Sequence, residues 1–581
     1  MPPNILLIVT DDQGYGDMSC HGNPILKTPA IDRLHRESTR LTDFHVGPTC
    51  APTRATLLTG HYANSTGVWH TVGGRSLLRE DEWTLADALG EAGYATGLFG
   101  KWHLGDNYPY RPMDRGFSET VIHGGGGITQ TPDHWGNDYF DDTYRRNGVP
   151  TRYAGYCTDV WFGLAREFIA SHRGQPWLCV LAPNAPHSPF NVEPRYAEPY
   201  RGRVPDRRAR FYGMIANLDE NLAELRGWLA DEGLADDTIL VFMTDNGTSG
   251  GASPDAEGFV HDGFNAGMRG VKGSAYEGGH RTPCFIHHPR GGLDRGRDIG
   301  DLTASVDLMP TLLDLAGIAL PSGRSFDGVS LAPILAGRPQ PQLAERIVVT
   351  DSQRLPRPEK WRQFSAMLGS WRLIDGDRLY DLASDPEQRF DIAGDHPATV
   401  ERLRVGYERW WERVSARIDE PIPIAVRADE PTELTAHDWH NPASDCPWHQ
   451  GMIRAGHRSS GHWEIDVRTP GAYRVELRRW PIDADAPIGD GPAASDVFRA
   501  GIDPHDLSWY VGHTPMPVIA AGVSVAGLRV EKPVSPESHV VTFELELPGG
   551  VSELSAWFAI DNGAEPVGAY YVRVTTQGSE P

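Results

Sequence analysis

The sequence is short of three things, and each shortage closes off a class of protein. Six cysteines are spread through 581 residues, at positions 20, 50, 157, 179, 284 and 446, and no two form a Cys-x-x-Cys pair. Neither a zinc knuckle nor a dense disulfide framework fits that spacing. No apolar run approaches the ~18 residues that a membrane-crossing helix needs, so no membrane span is expected. Positive charge is also scarce: 54 Lys and Arg stand against 78 Asp and Glu, a formal net charge of -24. That balance argues against nucleic acid or an anionic membrane as a partner. The opening run Asn4-Ile5-Leu6-Leu7-Ile8-Val9-Thr10 is too short and wrongly flanked for a signal peptide. A cytoplasmic location is expected from it, or a periplasmic or secreted one if a leader was removed.

What is present reads as a large α/β unit followed by β structure. A chain this long exceeds one ordinary core, and two or three domains are expected. Residues 4–10 predict a buried strand that runs into acids. Thr28-Pro29 predicts a capped helix to residue 34. A helix over 83–92, a strand over 95–99, a strand over 177–181, a helix over 211–229 and strands over 238–243 and 282–286 follow. This alternation predicts a largely parallel central sheet with helices on both faces, spanning 1–340. A small α+β subdomain is expected over 341–419, with strands at 346–350 and 371–374, a turn at 379–382 and a closing helix at 399–414. A polar, Pro-containing linker is expected over 420–434. From 435 to 581 the apolar period becomes two, as in Trp463, Ile465 and Val467 or Tyr473, Val475 and Leu477. That predicts a β-sandwich-like accessory domain.

Ligand sites in parallel sheets lie at the carboxyl ends of strands. This rule selects Asp11 and Asp12 after the first strand, Lys101 and His103 after the 95–99 strand, His187 after the 177–181 strand, and Asp245 and Asn246 after the 238–243 strand. Two adjacent acids at a strand end are common turn residues. Here acid pairs or acid–amide pairs end two distant strands, and hard oxygen donors without Cys or His suit Ca²⁺ or Mg²⁺ better than Zn²⁺. Lys101 and His103, two apart, share a face of an extended segment. Lys272 sits in Gly270-Val271-Lys272-Gly273. The charge poses a question here: an acidic protein that binds an anion must concentrate its positive groups locally.

The remaining motif is Pro48-Thr49-Cys50-Ala51-Pro52-Thr53-Arg54, followed by Leu57-Leu58-Thr59-Gly60. A lone Cys is commonly a small buried hydrophobe, or a thiolate activated by nearby charge. Arg54 stands four residues after Cys50, so the Cys-x5-Arg loop of thiol phosphatases does not fit. The Cys-x-Pro-Thr-Arg pattern resembles the signature of the type I sulfatase family, within the alkaline-phosphatase-like superfamily. The resemblance extends in order from Ile5 to about Gly317. It takes in Asp11-Asp12, Gly100-Lys101-Trp102-His103, Ala185-Pro186-His187, Thr244-Asp245-Asn246-Gly247, Gly270-Val271-Lys272-Gly273 and Val306-Asp307-Leu308-Met309-Pro310-Thr311. Leu379-Tyr380-Asp381-Leu382 extends it into the subdomain.

The resemblance implies an alkaline-phosphatase-like fold and hydrolysis of sulfate monoesters to alcohol and inorganic sulfate. It implies that Cys50 is oxidised to formylglycine by a maturase, and that Asp11, Asp12, Asp245, Asn246 and position 50 hold a divalent cation, usually Ca²⁺. Arg54, Lys101, His103, His187 and Lys272 would contact the sulfate or the reacting oxygens. An aldehyde hydrate carries two hydroxyls on one carbon, one to attack sulfur and one whose deprotonation expels sulfate. Position 53 is Thr where the commonest signature has Ser, and the hydroxyl is kept.

The substrate is less legible. His70, Trp135 and His280 are candidate substrate-binding residues, and the aromatic and polar groups around them suit a sulfated sugar, with aryl sulfates as further substrates. Two rival readings stand beside this one. One is a phosphonate monoester or phosphodiester hydrolase of the same superfamily; the other is a non-catalytic carbohydrate-binding protein. His437, His440, His449, His457 and His462 of the β-domain show no metal-ligand spacing and read as surface or packing residues.

Overall fold

The computed structural model describes residues 2–492, 501–561 and 565–577. Its centre is a ten-stranded mixed sheet. Five strands matter for the site: β1 (Asn4–Thr10), β2 (Ala95–Gly100), β3 (Glu119–Ile122), β4 (Trp177–Ala182) and β5 (Thr238–Thr244). They lie side by side in the order β5-β1-β4-β2-β3, all parallel. Antiparallel strands extend both flanks, among them Cys284–His287 beside β5. The strands are apolar throughout because both faces are covered. Ile5, Leu7 and Val9 pack into one core with Val180 and Val241. Leu6 and Ile8 pack into the opposite one with Leu181 and Phe242. Helices cover both: Cys50–Thr59 (α1) and Leu85–Glu91 on the first face, Pro29–Glu37, Cys157–Ser171 and Asp206–Asp231 on the second.

Further along the chain, four antiparallel strands form a small sheet, Val348–Asp351, Phe364–Leu368, Trp371–Ile374 and Arg378–Asp381, packed against the helix Pro397–Val414. The expected turn at 379–382 is largely strand: Leu379 pairs with Leu373. The reversal occurs just before it, where Asp375 and Gly376 take successive positive φ values of 51° and 84°, the conformation a tight hairpin requires. Within 420–434, expected as a linker, Ile424–Val426 and Thr432–Thr435 are strands of the C-terminal sheets. Those sheets, of six and four strands, bury Trp463, Ile465, Val467, Tyr473, Val475 and Leu477 between them. Leu77 and Tyr110, from the long N-terminal part of the chain, belong to the same apolar core. The β-domain is therefore packed onto the α/β unit through shared hydrophobic contacts.

Candidate active site

The selected residues converge at the carboxyl end of the parallel strands. The sheet ladder runs one step past the strand ends. Asp11 N–H donates to Ala185 O at 3.1 Å, Lys101 N–H to Ala182 O at 2.7 Å, and Asp245 N–H to Thr10 O at 3.0 Å. These bonds fix the backbone of three site residues directly. Asp12 and His103 take left-handed φ values of 68° and 63°, a conformation costing about 1–3 kcal/mol each for a residue with a side chain. The glycines of the two acidic motifs allow close backbone approach: a Cβ on Gly14 would sit 2.6 Å from Thr248 N, and one on Gly247 would sit 2.0 Å from Gly278 O.

Three carboxylates and two cations are buried together there, with a third cation, Lys272, half-buried beside them. Lys101 Nζ lies 2.7 Å from Asp11 Oδ2, Arg54 Nη2 2.8 Å from Asp245 Oδ2, and Lys272 Nζ 2.5 Å from Asp12 Oδ1. Asp12 N–H donates to Asp245 Oδ1 at 3.0 Å and Asn246 Nδ2 to Asp12 Oδ1 at 2.9 Å. Burial disfavours every one of these charges, and the neighbours decide the outcome. For Asp12, the opposing pull of Lys272 and His187 outweighs burial and lowers its pKa. For Asp245, burial and the negative charge of Asp11 outweigh Arg54 and raise its pKa to about 6. Burial works against Arg54 too, but Asp245 and Asp11 hold its pKa above the ordinary value. Lys272 is held up in the same way by Asp12.

The cluster leaves oxygens open. Asp11 Oδ1 and Asn246 Oδ1 are buried and have no hydrogen-bond partner, which costs stability unless something else satisfies them. Ligand atoms of Asp11, Cys50 and Asp245 lie within 4.8 Å of one another, as do those of Asp11, Asp12 and His187. Open, anionic, oxygen-rich and buried, this is a fit for a hard divalent cation. Asp11, Asp12, Asp245 and Asn246 would hold it, beside position 50. Cys50 is the first residue of α1, where free backbone N–H groups and the helix dipole favour an anion. Arg54 follows one turn later on the same helix face.

Two histidines flank this centre with defined tautomers. His103 Nε2 lies 2.8 Å from Thr71 O. A carbonyl can only accept, so Nε2 carries the proton and Nδ1 is the free nitrogen, buried and without a partner. Burial, then Lys101, then His437 push the His103 pKa well below its ordinary value. His187 Nδ1 donates to Ser188 O at 2.6 Å, and its Nε2 stands 3.8 Å from Asp12 Oδ2. Burial lowers its pKa to about 3 in spite of Asp12, with Lys272 and Lys101 adding to the effect, so the contact to Asp12 joins a neutral ring to a carboxylate. Glycines hold both rings: a Cβ on Gly126 would meet His103 Cε1 at 2.2 Å, and one on Gly127 would meet His187 Nδ1 at 3.5 Å.

The expected metal, sulfate and proton-transfer residues are thus brought together. The three substrate candidates fare differently. His70 lies in the loop whose Thr71 anchors His103, and burial lowers its pKa to about 3 with help from Arg354 and His437. Trp135 packs on Trp480 and Arg454 of the β-domain. His280 is fully buried and both its nitrogens are engaged, Nδ1 with His45 Nδ1 at 2.9 Å and Nε2 with Ala275 O at 3.1 Å. It belongs to an internal charge network, so no ring nitrogen is left for a substrate. Three groups escaped the sequence reading. His123, beside the glycine run, feels Lys101, Arg54 and His187. Arg354 and His437 come from distant parts of the chain. Of the surface and packing readings, packing holds for His437 and His440, which are buried because the segment 435–440 packs against the α/β unit.

Comparison with known proteins agrees with this geometry. The chain matches the Sulfatase family over residues 3–318. Arylsulfatase A of Homo sapiens is 32% identical over 506 residues, covering 77% of this chain and 95% of that protein. N-acetylgalactosamine-6-sulfatase of Homo sapiens is 30% identical over 373 residues, covering 58% of this chain and 66% of that one. Among solved structures, Ps i-CgsB in complex with k-i-k-neocarrahexaose superposes with a TM-score of 0.63 at 25% identity, covering 71% of this chain and 93% of that one. The chain belongs to the sulfatase family, whose members are sulfuric ester hydrolases that generally use formylglycine and a divalent metal.

Proposed function

We propose that this sulfatase removes sulfate from a sulfated carbohydrate, with aryl sulfates as further substrates, after Cys50 has been converted to formylglycine by a maturase. The observation that carries the reading is the convergence of Arg54, Lys101 and Lys272 around position 50 at one end of the sheet, beside oxygen atoms left open for a cation. A sulfate monoester is an anion that repels an approaching nucleophile, and fixed cations offset that repulsion and the charge of the transition state. The metal, Ca²⁺ in this reading and Mg²⁺ as the alternative, and the aldehyde hydrate would together supply an activated hydroxyl for attack on sulfur. Arg54 and Lys101 orient the sulfate. Lys272, charged and partly open to the cleft, stabilises the leaving oxygen and donates the proton that completes the alcohol, and the bare Nε2 of neutral His187 accepts the hydrogen bond of the hydroxyl so formed. His103 Nδ1 accepts a proton from the hydroxyl at position 50. The sugar preference draws on the carbohydrate named in the N-acetylgalactosamine-6-sulfatase relative and in the Ps i-CgsB complex.

Intact mass gives the first test. Conversion of Cys50 lowers the mass by about 18 Da, since sulfur and two hydrogens leave and one oxygen enters. Sulfate release from a panel of sulfated mono- and disaccharides by the converted protein gives the second. Turnover of an aryl phosphodiester at a higher kcat/KM than the matched aryl sulfate would replace this reading with a phosphodiesterase. Unconverted, inactive protein that still binds sugars would replace it with a binding protein.

A further inference from the structure

The β-domain holds the walls of the active site. Three loops around the catalytic groups are bonded to it through the backbone. Gly73 N–H donates to His437 O at 2.8 Å, beside the Thr71 carbonyl that fixes His103. Thr131 N–H donates to Trp448 O at 3.0 Å, and Gln450 N–H to Thr129 O at 2.9 Å, securing the loop whose glycines press on His103 and His187. Val192 N–H donates to Gly501 O at 3.1 Å, just beyond His187. Main-chain bonds of this kind make the β-domain a continuous part of the cleft.

One β-domain side chain then stands out. His437 is 1% exposed, and its ring centroid is 6.1 Å from that of His103. Nδ1 lies 3.1 Å from Asp438 Oδ1. A carboxylate accepts, so Nδ1 donates and Nε2 is the free nitrogen. That Nε2 is buried and has no partner in the protein, whereas the large majority of buried side-chain polar atoms in folded proteins are paired. His103 Nδ1 is likewise unpartnered. A neutral Nε2 accepts and a protonated one donates; a hydroxyl can do either, so it satisfies His437 in both states. An apolar aryl ring satisfies it in neither.

We propose that His437 is a specificity-determining residue contributed by the β-domain, its Nε2 binding a hydroxyl of the sugar that carries the sulfate. This rests on the carbohydrate reading above. The test compares kcat and KM of H437A and H437Q with wild type, on a hydrolysed sugar sulfate and on 4-nitrophenyl sulfate. For H437A we expect KM for the sugar to rise about tenfold or more, the loss of one hydrogen bond to a substrate hydroxyl, with the aryl sulfate changed less than about twofold. H437Q keeps a polar group at the position and should recover part of the loss. Should either variant lose activity equally on both substrates, His437 is a structural wall residue and the proposal falls. It falls too if folded H437Q and H437A bind the sugar as wild type does. Wild-type turnover of the aryl sulfate with no sugar in the panel hydrolysed would sink the carbohydrate reading itself, and the ligand assigned to His437 with it.

Discussion

Two buried charge clusters in this protein are made of the same kinds of residue and behave in opposite ways. One is the Asp11, Asp12, Asp245, Arg54, Lys101 and Lys272 group at the sheet end. The other joins His45, Asp43, Glu277 and His280 to Arg372 of the small subdomain. In the second, Arg372 Nε donates to Glu277 Oε1 at 2.7 Å and Nη2 to Asp43 Oδ1 at 2.8 Å; His45 Nε2 lies 2.9 Å from Asp43 Oδ1, and both nitrogens of His280 are engaged. None of its side-chain polar atoms is both buried and unpartnered, whereas the first cluster leaves Asp11 Oδ1, Asn246 Oδ1 and Arg54 Nε open, with His103 Nδ1 beside it. Both sets offer a geometry that could hold a metal. Closeness of charged groups therefore does not by itself mark a functional site; here it is joined to open oxygens in only one of the two clusters. The satisfied cluster spends its charges on joining two parts of the fold, and the open one keeps them for a ligand.

The contrast can be broken by mutation. The largest effect falls on activity: Cys50→Ala should reduce sulfate release to background while shifting unfolding by no more than about 1 kcal/mol. Retained turnover would overturn the mechanism. Glu277→Gln should do the reverse. Burial raises the Glu277 carboxyl, but Arg372 and His45 outweigh it and hold its pKa at about 2, so removing its charge should cost about 3–5 kcal/mol by denaturant unfolding. The metal content of the remaining folded protein should be unchanged. A stable E277Q enzyme with lost metal would mean that the two clusters are one. Gly126→Ala should push the His103 ring out of place and lower kcat about 10–100-fold with little change in KM.

The smallest effect concerns Asp245 in chelator-treated protein. Its folded pKa, raised from 3.8 to about 6, means that ionisation destabilises the fold. That penalty is fully present above the folded pKa, fades as pH falls through about 6, and is gone below the unfolded value. Asp245→Asn should therefore stabilise the chelated protein by about 1–3 kcal/mol at pH ~7.5, the difference vanishing near pH ~4. A D245N variant less stable than wild type under chelation would show that the pairing with Arg54 outweighs the repulsion.

Much of this was readable in advance because parallel sheets impose a rule. Residues following apolar strands gather at one edge, so Asp11, Lys101, His187 and Asp245 could be assigned to one place from strand positions alone. Cys50 and Arg54 were linked by the signature they share; the helix that sets them one turn apart appears only in the structure. His280 could not be read: its glycine-rich neighbourhood looks like a substrate loop, and only the packing of His45 and Arg372 against it shows an internal residue. The turn expected at 379–382 was misplaced because its apolar residues belong to a hairpin strand whose turn lies at Asp375-Gly376. Nor could the sequence decide where the accessory domain meets the catalytic loops.

The sequence by itself determined which strand ends carry Asp11, Asp12, Lys101, His103, His187, Asp245 and Asn246, and that the acid and amide donors there are oxygens. The strand-end residues follow from strand periodicity, which is local; the places of Cys50, Arg54 and Lys272 come from the resemblance to the sulfatase signature. The tertiary structure alone decided which polar atoms remain open and which are already spent, and that His437 stands beside His103 across 333 intervening residues. Hydrogen-bond satisfaction and domain packing depend on contacts far apart in the chain, and no pattern along it records them.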